Sequence, residues 1–82
     1  MDKPSGETYI HGFHVYYDPK DPIPQGIDHL KNDLQKPEVV PLFEYARKSS
    51  NASRGARFED DHDRQFVILY NGDNTFTLVL RK

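Results

Sequence analysis

The sequence contains no cysteine. This absence excludes disulfide bonds, zinc sites with thiolate ligands, thiol nucleophiles and iron–sulfur clusters. Long apolar runs are also missing, since no stretch approaches the roughly 18 apolar residues that a membrane span requires. The first seven residues are polar and lack the apolar segment of a secretory signal. Together these absences predict a cytoplasmic protein that does not associate with membranes.

Motifs for common catalytic mechanisms are absent as well. The four serines lie in segments rich in turn-forming residues, and none stands in the Gly-x-Ser-x-Gly pattern that presents a serine nucleophile. The five glycines are scattered singly, so the sequence has no glycine-rich loop for binding phosphate. These absences favour a non-enzymatic protein that uses no cofactor.

The 82 residues are sufficient for one domain with a small hydrophobic core. Leucine, isoleucine, valine and phenylalanine together make up twenty residues, which is above the roughly 20% below which chains tend to stay disordered. Residues 1–7 include Pro4, Ser5 and Gly6 and are predicted to be a flexible tail. We expect residues 8–82 to form a single α+β domain.

The first half of this domain is predicted to contain one strand and two helices. Alternation along the chain indicates a strand over residues 8–17, with Phe13 and Val15 facing the core. Three closely spaced prolines follow and are typical of an extended linker. Apolar residues spaced three and four apart then predict helices over residues 25–35 and 38–48, each with one polar face.

The second half is predicted to be a three-stranded antiparallel meander. Residues 49–55 have the composition of a loop, and a short strand is expected at residues 56–59. Two apolar runs at residues 65–70 and 75–80 flank Asn71-Gly72-Asp73-Asn74, which is typical of a hairpin turn.

Both faces of this hairpin carry apolar residues, which indicates either a central position in the sheet or a cover on each face. We expect one face to hold Val67, Leu69, Phe76, Leu78 and Leu80. The full prediction is a small four-stranded, mostly antiparallel sheet in the sequence order β-α-α-β-β-β, with two short helices packed on one face.

The most uneven charge distribution lies in residues 47–57, which contain four basic residues and no acidic residue. Serine and asparagine side chains in this segment could join the arginines in binding phosphate oxygens. The alternative is that its arginines pair with the acidic run at residues 59–63. Exposed tyrosines are favoured at protein interfaces. The predicted binding residues are therefore Arg47, Lys48, Arg54, Arg57, Tyr16 and Tyr70.

Four histidines raise the question of a metal site. His11 and His14 are three residues apart in a predicted strand, so their side chains would point to opposite faces. His29 is expected on the polar face of the first helix. His62 belongs to an acidic turn that lacks the spacing of a calcium-binding loop. We therefore predict surface histidines and no metal site.

Three functions remain open at this point. The ten aromatic residues and the missing catalytic motifs favour a small protein-interaction or regulatory module with a protein partner. A second hypothesis is a homo-oligomer whose subunits cover each other's apolar surface. A third is an RNA-binding or metal-independent ribonuclease-like protein that uses the 47–57 segment. The net charge of −2 weakens this third idea, because nucleic-acid binders usually carry a basic excess.

The predicted order of one strand, two helices and three strands resembles that of small RelE-like bacterial toxins, with no sequence motif in common. This resemblance implies an RNA-cleaving protein in which basic residues and a tyrosine or histidine act on the ribose and phosphate. By position, the residues that it suggests for this role are Arg57, His62, Arg64, Tyr70 and Arg81.

Overall fold

The computed structural model describes residues 4–20, 22–48 and 55–81. These residues form an α+β fold, as predicted, with one sheet and a pair of helices. The strands are β1 (Gly6–Ile10), β2 (Phe13–Tyr17), β3 (Ala56–Glu59), β4 (Gln65–Tyr70) and β5 (Thr75–Arg81). The helices are α1 (Ile23–Asp28), which continues as a π-helical segment (His29–Asp33), and α2 (Lys36–Lys48).

Residues 8–17 belong to two strands, so the prediction of one strand is wrong. His11 and Gly12 have φ angles of 50° and 90° and make a two-residue turn between β1 and β2. Positive φ at both central positions is the geometry of a type I′ turn, whose twist matches that of the flanking strands. The turn places Ile10 opposite Phe13, so that both side chains face the core.

The sheet has five strands in the order β1-β2-β5-β4-β3, whereas four strands were predicted. The additional strand is β1, which begins at Gly6, inside the predicted tail. Neighbouring strands are antiparallel except β2 and β5, which run parallel with Val15 beside Phe76. A parallel pair needs a long crossover connection, and α1 and α2 lie in this one. The β4–β5 hairpin lies inside the sheet, as predicted.

The register of β4 against β5 differs from the prediction by one residue. The predicted loop of four residues, 71–74, would pair Tyr70 with Thr75 across the hairpin. Instead, the backbone N–H of Asn71 donates to the Thr75 carbonyl at 2.9 Å, and Tyr70 pairs with Phe76. Val67 therefore lies on the face away from the helices. The face that contacts the helices holds Phe66, Ile68, Phe76 and Leu78, each at most 1% exposed.

Both helices begin earlier than predicted. α1 includes Pro24 in its first turn, where a missing N–H is tolerated because it would have no intrahelical partner. α2 begins at Lys36, where the Glu38 carboxylate accepts a hydrogen bond from the Gln35 backbone N–H at 3.1 Å, as in a capping box. Because of this early start, Pro41 lies inside α2 rather than in its first turn.

The core lies between the two helices and one face of the sheet. Phe43 of α2 stacks on Phe13 of β2 with ring centroids 4.4 Å apart, and it meets the edge of Phe76 of β5 at 4.8 Å. Such aromatic pairs contribute about 0.5–1.5 kcal/mol beyond their burial. The fully buried side chains of the core are Ile10, Val15, Leu30, Val39, Phe43, Ala46, Phe66, Ile68 and Phe76.

Gly26 lets α1 approach the sheet closely. A Cβ atom at this position would lie 2.8 Å from Cε1 of Phe66, whose ring is fully buried. At a solvent-exposed position inside a helix, replacing glycine with alanine raises the free energy of unfolding by about 1 kcal/mol. We expect Gly26→Ala to lower the free energy of unfolding by about 1–3 kcal/mol instead, because it overpacks the core. Urea unfolding measures this change.

A second substitution tests the cause of that destabilisation. Phe66→Leu removes the ring atoms that the new methyl group would meet. Gly26→Ala should therefore lower the free energy of unfolding less in a Phe66→Leu background than in the wild type. An equal loss in both backgrounds would contradict the close contact between Gly26 and the ring.

Candidate functional site

One face of the sheet is left uncovered by the described helices, and we call it the open face. Cross-strand register places alternate residues of all five strands on this face. It combines aromatic, aliphatic and charged side chains that are exposed or half-buried. They are Glu7, Tyr9, His14, Tyr16, Arg57, Glu59, Gln65, Val67, Leu69, Thr75, Thr77, Val79 and Arg81.

Aromatic side chains cluster on β1 and β2 of the open face. Tyr9 is 62% exposed and stacks on the His14 ring with centroids 4.6 Å apart. Tyr16 also contacts His14, at 4.7 Å between centroids. The Glu7 carboxylate lies 3.2 Å from His14 Nε2, although without the angles of a hydrogen bond. This edge of the open face is therefore aromatic and carries one carboxylate.

Aliphatic side chains occupy the centre of the open face. Val67 and Leu69 of β4 and Val79 of β5 are half-buried, and Val67 pairs with Val79 across the two strands. Arg57 of β3 is exposed and pairs with Val67 from the other side. The open face thus has an apolar centre between one edge with Glu7 and another edge with Arg57 and Glu59.

Four of the predicted binding residues occupy two different sides of the sheet. Tyr16 and Arg57 lie on the open face, but β5 and β4 separate their strands. Tyr70 lies on the helix side, where the Arg47 guanidinium is 5.9 Å from the centre of its ring. The structure therefore brings Arg47 to Tyr70, and it places Tyr16 and Arg57 on a separate surface.

The 47–57 segment is described only at its ends. Arg47 lies 3.9 Å from the Glu44 carboxylate on α2, and Lys48 is exposed at the end of that helix. Arg54 lies outside the described residues. The described part of the segment thus provides cations on α2 and on β3.

The residues suggested by the resemblance to RelE-like toxins are also dispersed. Arg57 and Arg81 belong to the open face, whereas Tyr70 lies on the opposite side of the sheet. His62 and Arg64 belong to the turn between β3 and β4, where Arg64 is held by a buried carboxylate. Within the described ranges, these five residues do not converge on a common phosphate site.

A second candidate site is a cleft of about 210 Å³ between the π-helical segment and the β3–β4 turn. We call it the acidic cleft, because four of its nine lining residues are aspartates. The residues that line it are Gln25, Asp28, His29, Asn32, Asp33, Asp60, Asp61, His62 and Arg64.

His29 lies in the acidic cleft and is 7% exposed, so the prediction of a solvated histidine is wrong. The π-helical segment changes the helical phase here, since the Leu34 backbone N–H donates to the carbonyl of His29 at 3.1 Å. The imidazole stacks on Phe58 of β3 with centroids 6.2 Å apart. The ring is therefore packed against the sheet instead of extending into water.

Two carboxylates approach the same nitrogen of His29. Its Nδ1 atom is 3.0 Å from Asp33 Oδ2 and 4.0 Å from Asp61 Oδ1. One ligand atom from each of these three residues lies within 4.8 Å of the other two. Imidazole nitrogens and carboxylate oxygens are common ligands of Zn²⁺ and related divalent cations. In the described part of the chain, this cluster is the group that could hold a metal ion.

Asp60 supports the turn that carries Asp61. Its side chain is 2% exposed and accepts hydrogen bonds from the backbone N–H groups of His62 and Arg64, at 2.9 and 3.0 Å. Arg64 Nε donates to the same carboxylate at 2.7 Å. Burial raises the pKa of Asp60, but the hydrogen bonds from Arg64 and His62 and the charge of Arg64 together hold that pKa below its usual value.

The sequence contained only part of the signal for the acidic cleft. His29 and Asp33 are four residues apart, a spacing that places side chains next to each other on a helix. Asp61 comes from a distant turn, and only the tertiary fold brings it to the same nitrogen. The sequence did not predict the open face, because the predicted register of β4 against β5 differs from the observed one by one residue. That difference places Val67 and Leu69 on the opposite side of the sheet.

Comparisons with protein-family models, with curated proteins and with solved structures find no match to this chain. No helix within residues 4–20, 22–48 and 55–81 is long and apolar enough to cross a bilayer.

Asp60→Asn tests the turn that supports the acidic cleft. We expect it to lower the free energy of unfolding by about 1–3 kcal/mol, because it removes the charge that binds three N–H donors in a buried position. Thermal unfolding followed by circular dichroism measures the effect. Asp63→Asn is the matched control, since Asp63 is exposed with a φ of 61° that asparagine adopts readily. A comparable loss in both variants would contradict a specific role for Asp60.

Proposed function

We propose that this protein is a small non-enzymatic interaction module that binds a second copy of itself through the open face. The supporting observation is the apolar character of this uncovered face. Val67, Leu69 and Val79 lie half-buried at its centre, and Tyr9 on the edge strand β1 is 62% exposed. Removing apolar surface from water is favourable by about 25 cal/mol per Å², a gain from which the ordering costs of association are subtracted. A second apolar sheet is a suitable cover for such a surface.

The charges at the two edges of the open face favour a second copy as the partner. Glu7 lies on β1 at one edge of the sheet, and Arg57 lies on β3 at the other. A two-fold axis parallel to the strands would place β1 of one copy over β3 of the other. Glu7 and Arg57 of the two copies would then be offset by about 7 Å along the strands, which two long side chains can bridge. This ion pair would occur twice in the dimer.

Face-to-face packing of the two sheets would produce a β-sandwich. Sheets in such structures lie about 10 Å apart, with interdigitating side chains between them. Val67 and Val79 of both copies would fill the centre, with Tyr16 beside them. Glu59 and Arg81 lie at the ends of their strands and would stay at the wet rim of the interface.

The RNA-binding alternative has less support. The net charge of the chain is −2. On the open face, Arg57 and Arg81 are accompanied by Glu7 and Glu59. These carboxylates would repel a polyanion. A protein surface that carries both signs of charge suits the open face better.

Sedimentation or light scattering over a concentration series tests self-association. We expect the mass of the wild-type chain to rise from 9.6 kDa towards twice that value. Val67→Lys should weaken association by about tenfold or more, because it places a charge in the apolar centre. Val40→Lys is the matched control, since Val40 is half-buried on α2 and lies outside the open face.

An exchange of charges tests the two-fold arrangement. Glu7→Arg and Arg57→Glu should each weaken association, because each places like charges opposite one another. The double variant should restore association, since it re-forms the pair with the signs reversed. A monomer at every concentration would contradict self-association, and unchanged association in Val67→Lys would contradict the use of the open face.

A further inference from the structure

We infer that the acidic cleft binds a divalent transition-metal ion through His29, Asp33 and Asp61. The three ligands come from two segments that are distant in sequence, the π-helical segment and the β3–β4 turn. Their ligand atoms all lie within 4.8 Å of one another. A bound ion would therefore connect the helical layer to the sheet.

The spacing of the ligand atoms suits a small cation. Tetrahedral ligands about 2.0–2.2 Å from a Zn²⁺ ion lie roughly 3.4 Å from one another. His29 Nδ1 is 3.0 Å from Asp33 Oδ2 and 4.0 Å from Asp61 Oδ1, one distance on each side of that value. The side chains of Asp33 and Asp61 are 51% and 72% exposed, so small rotations can equalise the two distances.

Within the cluster, a hydrogen bond links His29 Nδ1 to only one of the two carboxylates. One proton on Nδ1 serves Asp33, whereas Asp61 stays at 4.0 Å from the same nitrogen. A dication would neutralise both carboxylates and accept the lone pair of the imidazole nitrogen at once. The His29 side chain is only 9% exposed and rests on Phe58, so its nitrogen is oriented before an ion arrives.

The surroundings of the cluster indicate which ions fit. A donor set of one nitrogen and two oxygens favours Zn²⁺ or Mn²⁺ over Mg²⁺ and Ca²⁺, which prefer oxygen ligands alone. The hydrogen bonds of Asp60 hold the turn from which Asp61 extends. The cleft of about 210 Å³ leaves space for water at the remaining coordination positions.

Calorimetric titration of the full chain with ZnCl₂ tests this site. We expect one Zn²⁺ per chain and a rise in Tm that EDTA reverses, because an ion that binds only the folded state stabilises it. The double variant Asp33→Asn/Asp61→Asn should bind Zn²⁺ at least about tenfold more weakly. Both aspartates are exposed, so this variant should fold, which circular dichroism verifies.

The control is Asp28→Asn/Asp63→Asn, which removes two nearby exposed carboxylates but no proposed ligand. Wild-type affinity in this control would support the site. Equal weakening in both double variants would show non-specific attraction to negative charge and would overturn it. Absence of Zn²⁺ binding in the wild type, or binding lost only on substitution of His11 or His14, would also overturn it.

Paramagnetic Mn²⁺ locates the ion independently of calorimetry. Broadening of NMR signals should concentrate in residues 28–34 and 60–63, which surround the proposed ligands. Broadening centred on β1 and β2 instead would place the ion beside His14 and would overturn the assignment. The ligands and the open face have no residue in common, so the result does not depend on self-association.

Discussion

Three phenylalanine rings join the separate parts of this fold. Phe13 of the N-terminal hairpin, Phe43 of α2 and Phe76 of β5 meet with centroids 4.4 to 5.7 Å apart. Because Phe13 and Phe76 face the same side of the sheet, α2 has to lie on that side to complete the cluster. Gly26 brings α1 against the same side. Both described helices thus lie on one face of the sheet, and within the described residues the opposite face keeps a half-buried apolar centre.

The open face and the acidic cleft both depend on where the helices pack against the sheet. Neither surface could therefore be predicted from local sequence patterns. Tyr16 and Arg57 were singled out as binding residues, and they do lie on the open face, but their relation depends on the strands between them. The acidic cleft forms where the helical layer ends against the β3–β4 turn. The spacing of His29 and Asp33 is local, whereas the approach of Asp61 is tertiary.

Helical periodicity predicted part of the buried side of each helix. Ile27, Leu30, Val39, Phe43 and Ala46 are buried as their spacing indicates, whereas Leu34 and Leu42 are only half-buried and His29 is buried against that expectation. The α+β class also followed from local patterns. The strand pairings were harder to predict from the sequence, because a shift of one residue in register moves every side chain of a strand to the other face of the sheet. A turn at His11 and Gly12 divides one apparent strand, and one backbone hydrogen bond from Asn71 shifts the register of β4 against β5.

The parallel pairing of β2 with β5 also determines the order in which the sheet can be assembled. β5 is the last of the five strands to be synthesised, and it is the strand beside which β2 must lie. Contacts between residues as distant in sequence as Val15 and Phe76 form slowly, because closing a large loop is entropically unfavourable. Until β5 is available, the edge of β2 that pairs with it in the fold has no partner, and an unpaired strand edge is a place where other chains can add. The five-stranded sheet can therefore be completed only after the C-terminal hairpin has become available to the N-terminal one.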